Sequence, residues 1–186
     1  MRKLAIAAVA LMLAGGVASA ANPILTGEAE AKVRVTVVAN IAVGVLTPQV
    51  DVGQIAFGEF TAKVTFRIDA NVEEVKIKII ATDLYKGDSA SSPWKIPVKT
   101  GTDTGALVEP QMGNAMGGHS NLLLWVALDA LHGMVAHVSE EVAFESGQNA
   151  HFSQPVDVTI TYDQNYAELP KGEYSGFVKL VATIDP

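Results

Sequence analysis

GEAEAKVRVTVVANIAVGV, residues 27–45, is a stretch in which apolar and polar residues alternate. Glu30, Lys32, Arg34 and Thr36 occupy the positions between the apolar ones. The apolar side of the alternation is made of Ala29, Ala31, Val33, Val35, Val37 and Ala39. A period of two is typical of a strand with one buried face, so the sequence predicts one long strand here.

The position of this strand near the start of the chain leaves two interpretations open. It is either the first strand of its own domain or a strand that another subunit accepts. A long regular strand with an unpaired edge attracts pairing with another chain. Strand addition to the open sheet of a neighbour is one biological use of such a segment.

The first twenty residues have the composition of a secretory signal peptide. Arg2 and Lys3 form a basic start, Leu4–Leu13 an apolar core, and Ala18–Ala20 a small-residue cleavage site. We therefore predict three parts: a signal peptide at 1–20, an N-terminal extension with the donor strand at 21–45, and a β-sandwich domain at 46–186. This start predicts export through the periplasm.

The composition excludes several function classes. The net charge of −7 makes nucleic acid and anionic membranes poor partners, because both need basic patches. The chain has no cysteine, which excludes disulfides, thiolate zinc sites and cysteine nucleophiles. Stability must come from packing or from a partner.

The remaining alternations predict further strands. Residues 62–70 and 75–81 alternate cleanly and predict a hairpin with its turn at Asn71. Residues 156–162 and 173–184 predict two more strands, the last one ending the chain. Residues 83–118 are rich in turn formers and predict surface loops, apart from a short strand at 94–98. Short strands separated by turns are typical of an antiparallel sandwich.

Two segments are less clearly defined by their patterns. Residues 121–128, NLLLWVAL, are continuously apolar, which suits either a buried strand or a helix. Residues 129–143 fit either a helical turn or two or another strand, and we favour the strand.

No motif predicts catalysis, a metal or a cofactor. Glu140 and Glu141 suit a solvated turn, and Ser175 lies outside a Gly-x-Ser-x-Gly elbow. Trp94 and Trp125 suggest a carbohydrate surface only weakly, since Trp125 falls in the apolar run and is predicted to be core. The four histidines show no zinc-binding spacing and are predicted to be isolated surface residues: His119, His132, His137 and His151. We therefore predict a chain that is not an enzyme.

The two ends of the chain together resemble a known family. The final run, residues 169–186, matches a Gly-x-Tyr-Ser-Gly-x-Val-x-Leu pattern through Gly172, Tyr174, Ser175, Gly176, Val178 and Leu180. With residues 33–46, it resembles pilins of the chaperone-usher pathway, most closely the alternate-pathway class 5, or alpha-clade, fimbrial major subunits. The resemblance covers about thirty residues. The chain departs from the family by having Asn40-Ile41 where Asp-Pro is common, and in the region 83–120.

This resemblance implies an all-β fold, namely an immunoglobulin-like antiparallel β-sandwich that is incomplete and is completed by the N-terminal donor strand of the neighbouring subunit. The implied partners are further copies of the chain in a homo-polymer, a periplasmic chaperone and an outer-membrane usher. The implied location is a fimbrium at the cell surface, where it supports adhesion to a host or surface receptor. The implied donor residues are Ala29, Ala31, Val33, Val35, Val37 and Ala39, and the implied acceptor groove residues are Tyr174, Val178, Leu180 and Ala182.

A second interpretation has no strand exchange. An exported, monomeric β-sandwich that binds a carbohydrate or another surface ligand would keep its first strand in its own sheet. It would be stable alone, whereas a polymer subunit would form multimers.

Overall fold

The structure, a computed structural model, describes residues 31–100, 105–111, 120–147 and 151–185. In these ranges all regular secondary structure is β. The strands are β1 (Ile41–Val45), β2 (Gly58–Ala70), β3 (Glu74–Thr82), β4 (Leu84–Lys86), β5 (Lys95–Ile96), β6 (Ala106–Pro110), β7 (Ser120–Leu122), β8 (Leu124–Leu131), β9 (Met134–Ser139), β10 (Val142–Glu145), β11 (Phe152–Gln164), β12 (Tyr174–Ser175) and β13 (Val178–Thr183). The described ranges include no helix with the length and apolarity needed to span a membrane.

The strands form antiparallel sheets. The first sheet has the order β1-β2-β11-β6-β7. In the second, β10, β9 and β8 lie on one side of β3, and β13 pairs with the other side of β3. A small third sheet joins β12, β4 and β5. The predicted all-β, antiparallel fold is confirmed for the described part of the chain.

One hydrophobic core lies between the two large sheets. Alternate residues of β2 and β11 contribute from the first sheet, and alternate residues of β3 contribute from the second. Ile68, Ile77, Ile79, Val158 and Ile160 are all fully buried. The period-two pattern therefore placed one face of each central strand correctly.

The predicted hairpin of residues 62–70 and 75–81 is wrong in its pairing. Both segments are strands, but β2 pairs with β1 and β11, whereas β3 pairs with β9, β10 and β13. The turn after Ala70 carries the chain from one sheet to the other. Alternation fixes which face of a strand is buried and says nothing of its partner, which explains the error.

The segment 121–143 consists of strands, which resolves the two ambiguous patterns. β8 and β9 form a hairpin whose turn has positive φ at His132 (53°) and Gly133 (77°). Two consecutive positive φ angles define the type I′ turn that matches the twist of a hairpin. The strand interpretation of 129–143 is confirmed where the chain is described.

The region 83–120 is more structured than predicted. β5 confirms the short strand near Trp94, but Ala106–Pro110 forms β6, which pairs with the centre of β11. Asp83 is 1% exposed. The description of this region as surface loops is therefore wrong for β6 and for Asp83, because turn-forming residues around a short strand conceal its alternation.

The single strand predicted over residues 27–45 is also wrong in extent. Only Ile41–Val45 forms a strand, antiparallel to residues 66–70 of β2. The described residues 31–40 carry no regular secondary structure. The chain divides into two compact units after Thr36, and all strands belong to the second. The predicted signal peptide and Ala29 lie outside the described residues.

Candidate functional site: an open sheet edge and an exposed arm

The terminal strand β13 lies at an edge of the second sheet. Its partner is β3, and within the described ranges no strand pairs with its outer side. The side chains of β13 alternate, with Lys179 and Thr183 exposed. Val178, Leu180 and Ala182 face the core, opposite Ala81, Ile79 and Ile77 respectively. The outer backbone groups of β13 are therefore available to another strand.

The core is incompletely covered along this edge. Ile77, Ile79 and Ala81 of β3 are fully buried, whereas Val178 and Ala182 beside them are only half-buried. β1 lies on the other side of the opening, and Cα atoms of β1 and β13 approach within 8 Å without pairing. The opening between these two edge strands gives access to apolar side chains.

Other sheet edges in the described structure carry features that discourage pairing. β7 has three residues. β8 is interrupted by a bulge between Val126 and Ala130. Short edges and bulges are common devices against unwanted strand addition. β13 has six residues in unbroken register with β3, and Lys179 is its one charged residue.

Tyr174 lies apart from the other predicted groove residues. The strand predicted over 173–184 is broken at Gly176, so Tyr174 belongs to β12 and pairs with Lys86 in the third sheet. A Cβ atom on Gly176 would lie 2.6 Å from the carbonyl oxygen of Asp83. The close approach of two backbones requires glycine and interrupts the strand. The structure therefore brings together Val178, Leu180 and Ala182, without Tyr174.

The Tyr174 side chain has a different role. Its hydroxyl donates a hydrogen bond of 2.7 Å to the carbonyl oxygen of Pro170. Burial raises the pKa of Tyr174, which keeps the hydroxyl protonated as a donor. The bond fixes the turn that leads from β11 into the terminal strands.

The predicted donor residues in the described range are all exposed. We call residues 31–37 the arm. Val33 is 92% exposed, Val35 82% and Val37 78%, and Ala31 and Ala39 are also exposed. Side chains of this size usually become buried in a partner or in the chain's own core.

Asn71 anchors the chain directly after the arm. Its side-chain nitrogen donates to the carbonyl oxygen of Val38 at 2.8 Å, and its side-chain oxygen accepts from the Asn40 N–H at 2.5 Å. The Asn71 N–H also donates to the carbonyl oxygen of Asn40, at 3.2 Å. These bonds hold residues 38–40 at the start of β1. The sequence marked Asn71 only as a turn residue.

A buried polar cluster surrounds Asp83, at the junction of β3 and β4. One carboxylate oxygen lies 2.7 Å from Nε2 of His137 and accepts from the Val98 N–H at 2.9 Å. The other lies 2.7 Å from Nζ of Lys95. Burial by itself raises the pKa of Asp83, but these hydrogen bonds outweigh it and lower that pKa overall. The cluster joins three segments of the chain around one ionised carboxylate.

Asp157 forms a second cluster, on the first sheet. Its carboxylate lies 2.6 Å from Nζ of Lys63 and accepts from Thr65 and Gln111 at 2.7 Å each. Burial opposes ionisation of Asp157, yet the hydrogen bonds lower its pKa overall. These bonds link β2, β11 and the segment after β6, and they are structural ties.

Two predictions about single residues are wrong. His137 is buried, not a surface residue, because it lies on the inner side of β9 against Asp83. Trp125 is 50% exposed, not core, since its side chain lies on the outer face of the edge strand β8. In the described ranges, no three His, Asp or Glu side chains are placed to hold a metal ion.

The comparisons with known proteins leave the class defined by the fold alone. No protein-family model and no curated protein matches the chain. The described structure is an all-β protein of two large antiparallel sheets around one core.

Proposed function

We propose that the chain is a structural subunit of a surface fimbria and that it polymerises by donor-strand exchange. The arm of one subunit, extended by Ala29 and Ala39, enters the opening beside β13 of the next subunit. In this proposal the fold is an incomplete immunoglobulin-like sandwich that a neighbour completes. The signal peptide at 1–20 directs export, a periplasmic chaperone and an outer-membrane usher guide assembly, and the fimbria supports adhesion.

One observation carries this proposal. The same chain has a row of exposed valines with strand periodicity and an open strand edge with half-buried apolar side chains. Each feature supplies what the other lacks. Burial of one valine contributes about 1.5–3 kcal/mol, so Val33, Val35 and Val37 contribute roughly 5–9 kcal/mol before the cost of ordering the arm.

The Tyr174–Pro170 hydrogen bond supports the immunoglobulin-like part of the proposal. In such sandwiches a tyrosine near the start of the penultimate strand bonds to the backbone a few residues upstream. Tyr174 makes this bond four residues upstream, just before β13. The terminal strand β13 then corresponds to the penultimate strand of a complete sandwich, and the next strand is the one that the neighbour supplies.

Insertion of the arm requires a small rearrangement. The two neighbours of a central strand lie about 10 Å apart. Since β1 and β13 approach within 8 Å in the free chain, β1 must shift by a few ångströms. β1 has only five residues and pairs on one side, which makes such a shift inexpensive.

A truncated chain tests the proposal. We would delete residues 21–37, which preserves the Asn71 anchor and β1, and measure thermal unfolding with and without a synthetic peptide of residues 26–39. We expect the peptide to raise the midpoint, by about 2.7 kcal/mol of stability at a hundredfold excess over its Kd. A control peptide with Val35→Asp should have no effect. A truncated domain that is stable and unaffected by the peptide would contradict strand exchange.

The alternative is an exported monomeric binding module. The half-exposed side chains of Trp94 and Trp125 favour it, because exposed aromatic faces stack on sugar rings. Trp94→Ala and Trp125→Ala variants of a monomeric chain should then lose retention on a carbohydrate array. Unchanged retention would leave no support for this module.

A further inference from the structure

We infer that Lys179 fixes the direction in which the arm pairs with β13, so that Val33, Val35 and Val37 lie antiparallel to β13, opposite Ala182, Leu180 and Val178. This inference rests on the proposed function, and its occupant is the arm of a second copy of the chain. The argument uses the positions of the apolar side chains and the charges beside them.

The apolar side chains fix the alignment of the two strands. β13 presents three core-facing positions in a row, at residues 178, 180 and 182. The arm presents three valines with the same spacing, at residues 33, 35 and 37. Two alignments place each valine opposite a core-facing residue, one antiparallel and one parallel. Apolar matching does not distinguish them.

The charged residues on the outer face do distinguish them. In the parallel alignment Arg34 lies directly opposite Lys179. In the antiparallel alignment Thr36 occupies that place, and Arg34 lies opposite Val181. Like charges directly opposite each other destabilise a strand pair. Lys179 is exposed on the outer face of β13, beside Ile80 of β3, and no acidic residue is paired with it across β3.

Charge at the other end of β13 favours the same direction. In the antiparallel alignment Lys32 lies opposite Thr183, two residues from Asp185 and within the diagonal reach of a long side chain. Asp185 is 75% exposed in its side chain and already accepts from Lys76 at 2.7 Å. In the parallel alignment Lys32 lies opposite Phe177, far from any carboxylate of β13. Both ends therefore select the antiparallel pairing.

Disulfide cross-linking between two full-length chains tests the direction. One chain carries Thr183→Cys, and the other carries either Lys32→Cys or Val38→Cys. The natural chain has no cysteine, so any disulfide must join the two variants or identical copies. Residue 183 lies opposite residue 32 in the antiparallel alignment and opposite residue 38 in the parallel one. Residues 32 and 38 are roughly 20 Å apart along a strand, so one pairing excludes the other.

The two variants are tagged differently, refolded together and oxidised. We expect a mixed dimer with Lys32→Cys and none with Val38→Cys. Multimers that cross-link only through Val38→Cys, or through neither, would overturn the inferred direction while leaving strand exchange intact. If no multimer forms, the proposed function and the inference fail together.

A second substitution tests the role of Lys179 itself. Lys179→Glu replaces the repulsion in the parallel alignment with an attraction to Arg34, so the share of the Val38→Cys product should rise about threefold or more. Lys86→Glu, at another exposed lysine of the domain, is the control and should leave the ratio unchanged. An unchanged ratio in Lys179→Glu would show that Lys179 does not set the direction.

Discussion

Tyr174 donates its hydroxyl to the carbonyl oxygen of Pro170, and this bond closes the turn through which the chain enters its last strand. We predict that Tyr174→Phe lowers the free energy of unfolding by about 1 kcal/mol, the usual net value of one hydrogen bond. The unfolding midpoint should fall by about 2–4 °C. Tyr166→Phe, at a side chain that is 53% exposed, is the control. Equal stability of the two variants would show that the turn does not depend on this bond.

Asp83 joins three donors within the core, so its removal should be costly. Asp83→Ala leaves the buried His137 ring and the Val98 N–H without their acceptor. We expect a loss of about 3–5 kcal/mol in urea denaturation, as for other broken buried ion pairs. The control is Asp51→Ala, which removes an exposed carboxylate that bonds only locally to the Gly53 N–H. A loss below 1 kcal/mol in Asp83→Ala would contradict the structural role of this cluster.

The same carboxylates predict a loss of stability in acid. The pKa values of Asp83 and Asp157 are lowered in the folded chain, because the hydrogen bonds to each carboxylate outweigh its burial. Their contribution is complete above the ordinary aspartate pKa of about 4 and is lost as the pH falls through the lower folded values. Urea midpoints measured between pH 7 and pH 2 should fall most steeply below pH 4. Asp83→Asn should flatten this fall, and a curve parallel to that of the natural chain would refute the assignment.

Gly176 separates the last two strands because a side chain does not fit there. Gly176→Ala places a Cβ atom 2.6 Å from both the carbonyl oxygen of Asp83 and the hydroxyl oxygen of Thr82. We expect a loss of about 1–3 kcal/mol, typical of overpacking. Gly44→Ala is the matched control, since nothing lies within 4 Å of its added Cβ. A neutral Gly176→Ala would mean that the two backbones separate easily.

The sequence predicted the strand faces well and the strand partners poorly. The alternation in residues 62–70 and 75–81 identified which side chains enter the core, because burial follows the pleat of each strand. It could not show that the two strands belong to different sheets, since pairing depends on contacts distant in sequence. β6 was missed because its five residues lie between masking turn signals.

The candidate site was predictable in part, for a related reason. Val178, Leu180 and Ala182 were found by their alternation, and the valines of the arm by theirs. Tyr174 was misplaced because the close contact at Gly176 with Asp83 involves residues more than ninety positions apart. The Asn71 anchor and the Asp83 cluster left only a weak signal, a polar residue at the end of a buried strand. Side-chain partners of this kind become visible only in three dimensions.

The central claim is that the valines of the arm bury themselves in a second subunit. The most direct measurement is the multimer ladder of the full-length chain on an unheated denaturing gel, compared between Val35→Asp and Thr36→Asp. Both residues are exposed in the free chain, so neither change should alter monomer unfolding. We predict that Val35→Asp abolishes the ladder, because it buries a charge in the groove, and that Thr36→Asp retains it. Loss of the ladder in both variants, or in neither, would contradict insertion of the arm with its valines inward.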